Sequence, residues 1–255
     1  MNWYDDLCEY YFVTPSVAIE LGVRKTGRKP NLPGSITCKP VSGKNFEELW
    51  SQKLRDTVQQ KMDFYKEIGS WMVFRQCNYR HDFNYGNLFY PYIKENSNIL
   101  EYGCGIAPLT NYIIDNKKIN VDKMKFCIVD VSGEHLEFAK WRLRKKCPKI
   151  NLEVHEITEK YIIPNFSEKF DVCCVMDVME HLPNPYNVIN NIYNSCLCGA
   201  TIVLTWVDKS EGKHGGPDLE EAEKERNITM GFIKNNSILI KGGSIKIYQK
   251  NENNF

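Results

Sequence analysis

At 255 residues the chain is long enough for one large domain with an elaborated terminus, and it can bury an ordinary core without help from a partner. Hydrophobic residues make up 42% and charged residues 25%, and 33 Lys plus Arg against 32 Asp plus Glu leave a formal charge of +1. That balance speaks against a protein built to hold a long nucleic acid, which draws its affinity from many phosphate contacts; a short RNA end or a nucleotide-linked metabolite stays open. No segment approaches the ~20 apolar residues of a membrane span. The acidic, aromatic start MNWYDDLCEYY lacks the basic-then-apolar order of a secretory leader, so the expected setting is the cytoplasm. Ten cysteines with no C-x-x-C pair fit that reducing compartment, and Cys104, Cys127, Cys173 and Cys174, in apolar or glycine-rich runs, read as buried thiols.

Residues 1–94 read as a helical extension that caps the substrate side. Within it GVRKTGRKPNLPGSITCKP is rich in Gly, Pro and basic residues and reads as an extended loop, in which Arg24, Lys25, Arg28 and Lys29 form either a phosphate clamp or a solvated charge run. A single helix is expected from about Asn45 to Ile68, because Phe46, Leu49, Trp50, Leu54, Val58, Met62, Tyr65 and Ile68 recur at spacings of three or four and give one apolar stripe. Trp3, Tyr4, Tyr10, Tyr11, Trp71, Phe74, Arg75, Tyr79, Arg80 and His81 supply rings and cations, most of the rings being expected in the core between extension and domain.

Residues 95–255 alternate short apolar runs with helical patterns, the mark of βαβ units around a mostly parallel sheet. Strands are predicted at 98–103, 125–131, 151–157, 170–178 and 200–207, with SILIK and SIKIYQK as a late pair. Helices are predicted around 107–116, 133–146, 185–195 and 218–234. Gly242-Gly243 between the late pair is a hairpin signal, so the last strand is expected to run antiparallel.

Glu101-Tyr102-Gly103-Cys104-Gly105 stands between a strand and a helix, where glycines let the backbone turn sharply and approach a ligand. A tight turn without a ligand is the plainer reading, and the third glycine of G-x-G-x-x-G is absent. The next strand ends at Asp130-Val131, where a carboxylate can accept from both ribose hydroxyls at once. Glu156-Ile157 ends the following strand, as a carboxylate for an adenine amino group and an aliphatic cover for the ring, or as a solvated strand end. The run VCCVMDVMEHLPNP then brings Asp177, Val178, Glu180 and His181 to the mouth of the fourth strand.

ILEYGCG, IVDVS and FDVCCVMDVMEHLPNP resemble the successive motifs of class I S-adenosylmethionine-dependent methyltransferases, the last run especially the ubiquinone-biosynthesis type and its small-molecule O-methyltransferase relatives. The resemblance covers roughly residues 95 to 208 and implies a Rossmann-like α/β domain with a seven-stranded sheet and S-adenosylmethionine as cofactor. It implies that Glu101, Tyr102, Gly103 and Gly105 line the methionine moiety, that Asp130 with Val131 holds the ribose, that Glu156 and Ile157 frame the adenine, and that Asp177 and Val178 close the floor. Some relatives with an acid-x-x-Glu-His pattern bind a divalent ion, which would put Mg or Mn on Asp177, Glu180 and His181.

If the turn after the fourth strand is helical, Asp177, Glu180 and His181 share one face near the transferred methyl group. His181 is then the candidate base, and His214 in KHGGPD, on the rim, a second catalytic candidate or a further ligand. The plainer readings are a Glu-His pair that secures the loop and a solvated loop histidine. The expected acceptor is a hydroxyl of a polar small molecule, a sugar or glycan precursor by class, with no nucleic acid and no membrane span. A metal-assisted RNA-terminal 2′-O-methyltransferase and a non-catalytic cofactor-binding subunit are the alternatives. A nicotinamide dehydrogenase ranks last, lacking the third glycine, and nothing in the sequence sets an oligomeric state.

Overall fold

The structure is a computed structural model and describes residues 3–26, 46–80, 89–116, 119–159, 162–206 and 218–252, the side chains of 22–26, 46–48 and 78–80 excepted. The expectations for His81, His214, Arg28 and Lys29, and for the side chains of Arg24, Lys25, Tyr79 and Arg80, lie outside these described residues. Its centre is a seven-stranded sheet of β1 (Asn98–Tyr102), β2 (Lys125–Val131), β3 (Asn151–Ile157), β4 (Phe170–Val175), β5 (Cys196–Leu204), β6 (Ser237–Lys241) and β7 (Lys246–Lys250). The spatial order is β3-β2-β1-β4-β5-β7-β6; the first five strands pair in parallel, and β7 runs antiparallel to both β5 and β6. Parallel strands covered on both faces must be apolar on both, which is why β2 reads FCIV and why Val172 to Val175 of β4 are all buried. The order reverses between β1 and β4, so the loops leaving these two strands part and open a crevice at their carboxyl ends. Helices at Pro108–Asp115, Glu134–Lys146, Pro185–Asn194 and Glu220–Asn236 lie between the strands. Among the described residues no helix is long and apolar enough to cross a membrane.

The extension builds α1 (Trp3–Tyr10), α2 (Pro15–Thr26), α3 (Phe46–Ser51), α4 (Val58–Glu67) and α5 (Gly69–Arg80); the four later helices are α6 to α9 in chain order. The single helix expected over 45–68 is broken. Thr57 caps α4, its hydroxyl accepting from the Gln60 N–H while the Gln60 side chain accepts from the Thr57 N–H, and this reciprocal cap starts a new helix where the stripe predicted continuity. Leu54, in the break, is 75% exposed, whereas Phe64, which the stripe omitted, is fully buried against Ile68 and Trp71. β4 also ends three residues early, because Asp177 takes a left-handed φ of 56° that no strand can continue.

The extension is packed onto the domain. Leu7, Ala18, Val73 and Phe74 form one cluster with Ile106 and Phe138, edged by Trp3, Tyr4, Tyr10 and Tyr11, so the ring-rich start is core as expected. Within this seam a charge is buried: Arg142 of α7 donates to Asp6 of α1 at 2.7 Å, both fully enclosed, with Lys145 3.0 Å from the other carboxylate oxygen and the Trp3 ring face over the guanidinium. Removing one member of such a pair strands the other without solvent or partner. Asp6→Ala is therefore expected to cost about 3–5 kcal/mol in urea unfolding of the full chain. A loss below about 1 kcal/mol, the range of a surface pair, would show that the seam does not depend on it.

Candidate functional site

The crevice begins at the turn after β1. Gly103 and Gly105 adopt φ of 65° and 56°, and the N–H groups of Gly103 and Cys104 both donate to the Val129 carbonyl of β2, at 2.7 and 3.0 Å. A Cβ on Gly103 would stand 2.2 Å from Cγ2 of Val178, and one on Gly105 2.3 Å from the Gln76 amide oxygen. The turn is thus pressed between the loop leaving β4 and helix α5, and only glycine fits. Gln76 also accepts from the Ile106 N–H at 2.9 Å, a contact that no motif announces. Pro108, where a third glycine would fall, is the first residue of α6, a position that needs no N–H.

Two acidic residues flank this turn with different duties. Glu101 is buried, and its carboxylate accepts from the Leu109 and Thr110 N–H groups at 3.1 and 3.0 Å and from the Thr110 hydroxyl at 2.8 Å. It satisfies the exposed donors at the start of α6 and meets the positive end of that helix's dipole. Its neighbour Tyr102 is equally enclosed and donates its hydroxyl to the Ile162 carbonyl at 2.7 Å. Both side chains expected at the methionine moiety are thus engaged within the protein, Glu101 at the start of α6 and Tyr102 at the Ile162 carbonyl.

Asp130 sits at the end of β2 as expected, but it is already engaged. One oxygen accepts from the Gly105 N–H at 2.6 Å; the other accepts from the Val131 N–H at 2.7 Å and from Nε2 of His135 at 3.2 Å. A carboxylate offers about four lone-pair directions, so one remains, on the oxygen that holds Gly105. The picture of two ribose hydroxyls on a free carboxylate gives way to one open acceptor position, unless His135 yields its own. His135 is buried in the first turn of α7 with Nδ1 unpartnered, and it was missed because a histidine in a helical pattern carries no signal of its own. Across the strand pair, Asp130 and Val131 stand in register with Glu156 and Ile157; Glu156 is exposed, while Ile157 is buried in the main core.

On the far wall Val178 packs on Gly103, and Asp177 donates its N–H to the Thr205 hydroxyl at 2.6 Å and accepts from that hydroxyl at 2.7 Å. Residues Met179–His181 form a single 3-10 turn rather than an α-helix, so the face shared by Asp177, Glu180 and His181 does not form. Asp177 turns to Thr205, Nδ1 of His181 stands 3.2 Å from Asp218, and the Glu180 carboxyl is buried with Oε2 unpartnered. These three do not bring their ligand atoms within 4.8 Å of one another, so they do not fit Mg or Mn as a set. Tyr65 of α4 completes this wall, with its ring centroid 6.2 Å from that of His181.

Burial pushes the Glu180 carboxyl up to about 8 from an ordinary 4.5; a hydrogen bond from its own backbone and, less, Arg226 offset this only in part, and Asp177 and Asp218 add to it. Between these values the folded chain holds a proton that the unfolded chain has released, so the stability this group contributes is full below about 4.5 and drains away as pH rises toward 8. Wild-type protein is thus expected to lose more stability than Glu180→Gln on going from about pH 5 to about pH 8 in urea titrations. Parallel pH profiles for the two proteins would overturn this.

Residues 100–202 match a family described as a methyltransferase domain. That match covers less than half of the chain and takes in β1 to β4 and most of β5, the strands that carry the glycine turn, Asp130 and Asp177. The residues present fit S-adenosylmethionine: a glycine turn that no Cβ could occupy and a strand-end carboxylate with one acceptor position left. The chain is similar in structure to a candidate O-methyltransferase from Nostoc punctiforme (TM-score 0.51, 11% identity, 97% of this chain and 72% of that one). It is also similar to a candidate rRNA methylase from Clostridium thermocellum (TM-score 0.50, 11% identity, 65% and 92%). The match to coclaurine N-methyltransferase (TM-score 0.39, 19% identity) covers 47% of this chain and spans only 33% of that one. No curated protein matches the chain in sequence.

Proposed function

We propose that the chain is a methyltransferase that acts in the cytoplasm on a hydroxyl group of a polar small molecule, with a sugar or glycan precursor as the acceptor class. The observation that carries the reading is the pairing of His181 with Asp218 at the mouth of the crevice, 3.2 Å from Nδ1 to the carboxylate. A hydroxyl is a poor nucleophile near neutral pH and needs a base, whereas an amine need only arrive unprotonated. A histidine whose ring a carboxylate orients is the arrangement a base requires. Asp218 would fix the ring and stabilise the imidazolium once His181 has taken the hydroxyl proton. The Tyr65 ring and the polar groups of Glu180 and Asp218 beside it suit a polyol better than an apolar acceptor. His214 is kept as a second candidate for proton handling on sequence grounds alone.

S-adenosylmethionine supplies an electrophilic methyl group when bound. The chain's part is to hold that group by the backbone of Gly103 to Gly105, with Asp130, Val131, Glu156 and Ile157 on the nucleoside side and Asp177 and Val178 opposite, and to align the acceptor oxygen for in-line attack.

Two variants separate these roles. In calorimetry with S-adenosylhomocysteine, Asp130→Ala is expected to bind about 10- to 100-fold more weakly, the worth of a hydrogen bond to a charged group, and unchanged affinity would remove the ribose assignment. His181→Ala is expected to keep that affinity while turnover falls about 10²- to 10⁴-fold, and retained turnover would reduce His181 to a structural part. Turnover is read with the acceptor that emerges from a screen of sugar nucleotides, glycans and RNA with labelled methyl donor. Transfer to RNA alone would overturn the acceptor class.

A further inference from the structure

Away from the crevice, β3 breaks its own pattern. Leu152 and Val154 pack on one side of the sheet against Ile128, Leu136 and Leu143. The alternate positions should then be apolar too, since on that side β2 presents Cys127 and Val129 and the return loop presents Ile162 and Phe166. Instead they hold Glu153 and His155, in register with Cys127 and Val129. Nε2 of His155 donates to Glu153 at 2.6 Å, and the edge of the Phe166 ring closes over the imidazole at 5.5 Å between centroids. Cys127 is 2% exposed beneath them, and one ligand atom from each of Cys127, Glu153 and His155 lies within 4.8 Å of the other two. Among the described residues this is the one such set.

We propose that Cys127, Glu153 and His155 form a binding site for a zinc-class divalent cation. One sulfur, one imidazole nitrogen and one carboxylate oxygen make a borderline donor set that suits zinc and not magnesium or calcium, which take oxygen. Three protein donors leave a fourth tetrahedral position for water. The approach is open, because the side chains of His155 and Glu153 are 24% and 41% exposed while the thiol lies at the base. Ser167 donates its hydroxyl to the second Glu153 oxygen at 3.4 Å and so steadies the carboxylate from outside. On binding, the Cys127 thiol proton leaves to solvent, the His155 Nε2 proton is exchanged through solvent onto Nδ1, and the His155–Glu153 hydrogen bond gives way to two bonds to the cation. The ion would tie edge strand β3 to β2 at the Cys127–Glu153 pair, three residues before the Asp130–Glu156 pair, and so act on the rigidity of the nucleoside side rather than on the reacting atoms. The site stands independently of the acceptor reading.

Cobalt(II) is the probe. Full-length protein, reduced and stripped with chelator, is titrated with Co²⁺ and followed by absorbance. One equivalent is expected to give a thiolate-to-cobalt charge-transfer band that Zn²⁺ abolishes. Cys127→Ser is expected to lose the band and His155→Ala to bind at least about tenfold more weakly, while Cys198→Ser, at an exposed thiol, keeps both band and affinity. Zn²⁺ is expected to raise the melting temperature of the wild type and not of His155→Ala, a partly exposed edge-strand position whose variant should fold. Absence of the band in the wild type, its survival in Cys127→Ser, or equal zinc stabilisation of His155→Ala would each overturn the site.

Discussion

The crevice depends on one carboxylate. Asp130 ends β2 where the chain leaves β1 for α6, and it collects the Gly105 N–H, the Val131 N–H and the His135 imidazole. Backbone donors at a left-handed turn have no partner within their own strand and would otherwise point into the site. Drawn onto Asp130, and onto the Val129 carbonyl just before it, they fix the turn in a shape that admits a ligand. Glu101 does the same for the first turn of α6. A motif that reads as a set of ligand contacts is therefore in large part a device for satisfying backbone groups, and what it offers a cofactor is the remainder.

The rim is shared between the domain and the extension. Gln76 of α5 braces the glycine turn from one side, and Tyr65 of α4 faces His181 from the other. Helices that no family motif covers thus contribute to both the floor and the mouth. This division explains why the two walls are so unequally legible: one is made of strand ends with a readable motif, the other of helices outside the matched residues.

The sheet could be read from the sequence because parallel strands must be apolar on both faces and the runs at β1, β2 and β4 are. The late antiparallel pair followed from its two glycines. What escaped was decided by single backbone events. The left-handed Asp177 dispersed a cluster that spacing alone had put on one helix face. The Thr57–Gln60 cap breaks the chain where the apolar stripe reads as continuous. Glu101 and Asp130 stood where expected, but no sequence shows whether a carboxylate is already taken by its own chain. Cys127, Glu153 and His155 carry no recognised spacing, since register between two strands, not distance along the chain, brings them together.

The enclosed Asp6–Arg142 pair bears on how the molecule can be divided. A fragment cut to the methyltransferase motifs, starting near residue 95, would uncover Ile106 and Phe138 and leave the Arg142 guanidinium facing a hole once filled by Asp6 and Trp3. Trimming or transplanting the motif-bearing part alone thus invites aggregation, and any chimaera should keep α1, with Asp6, together with the α7 that carries Arg142.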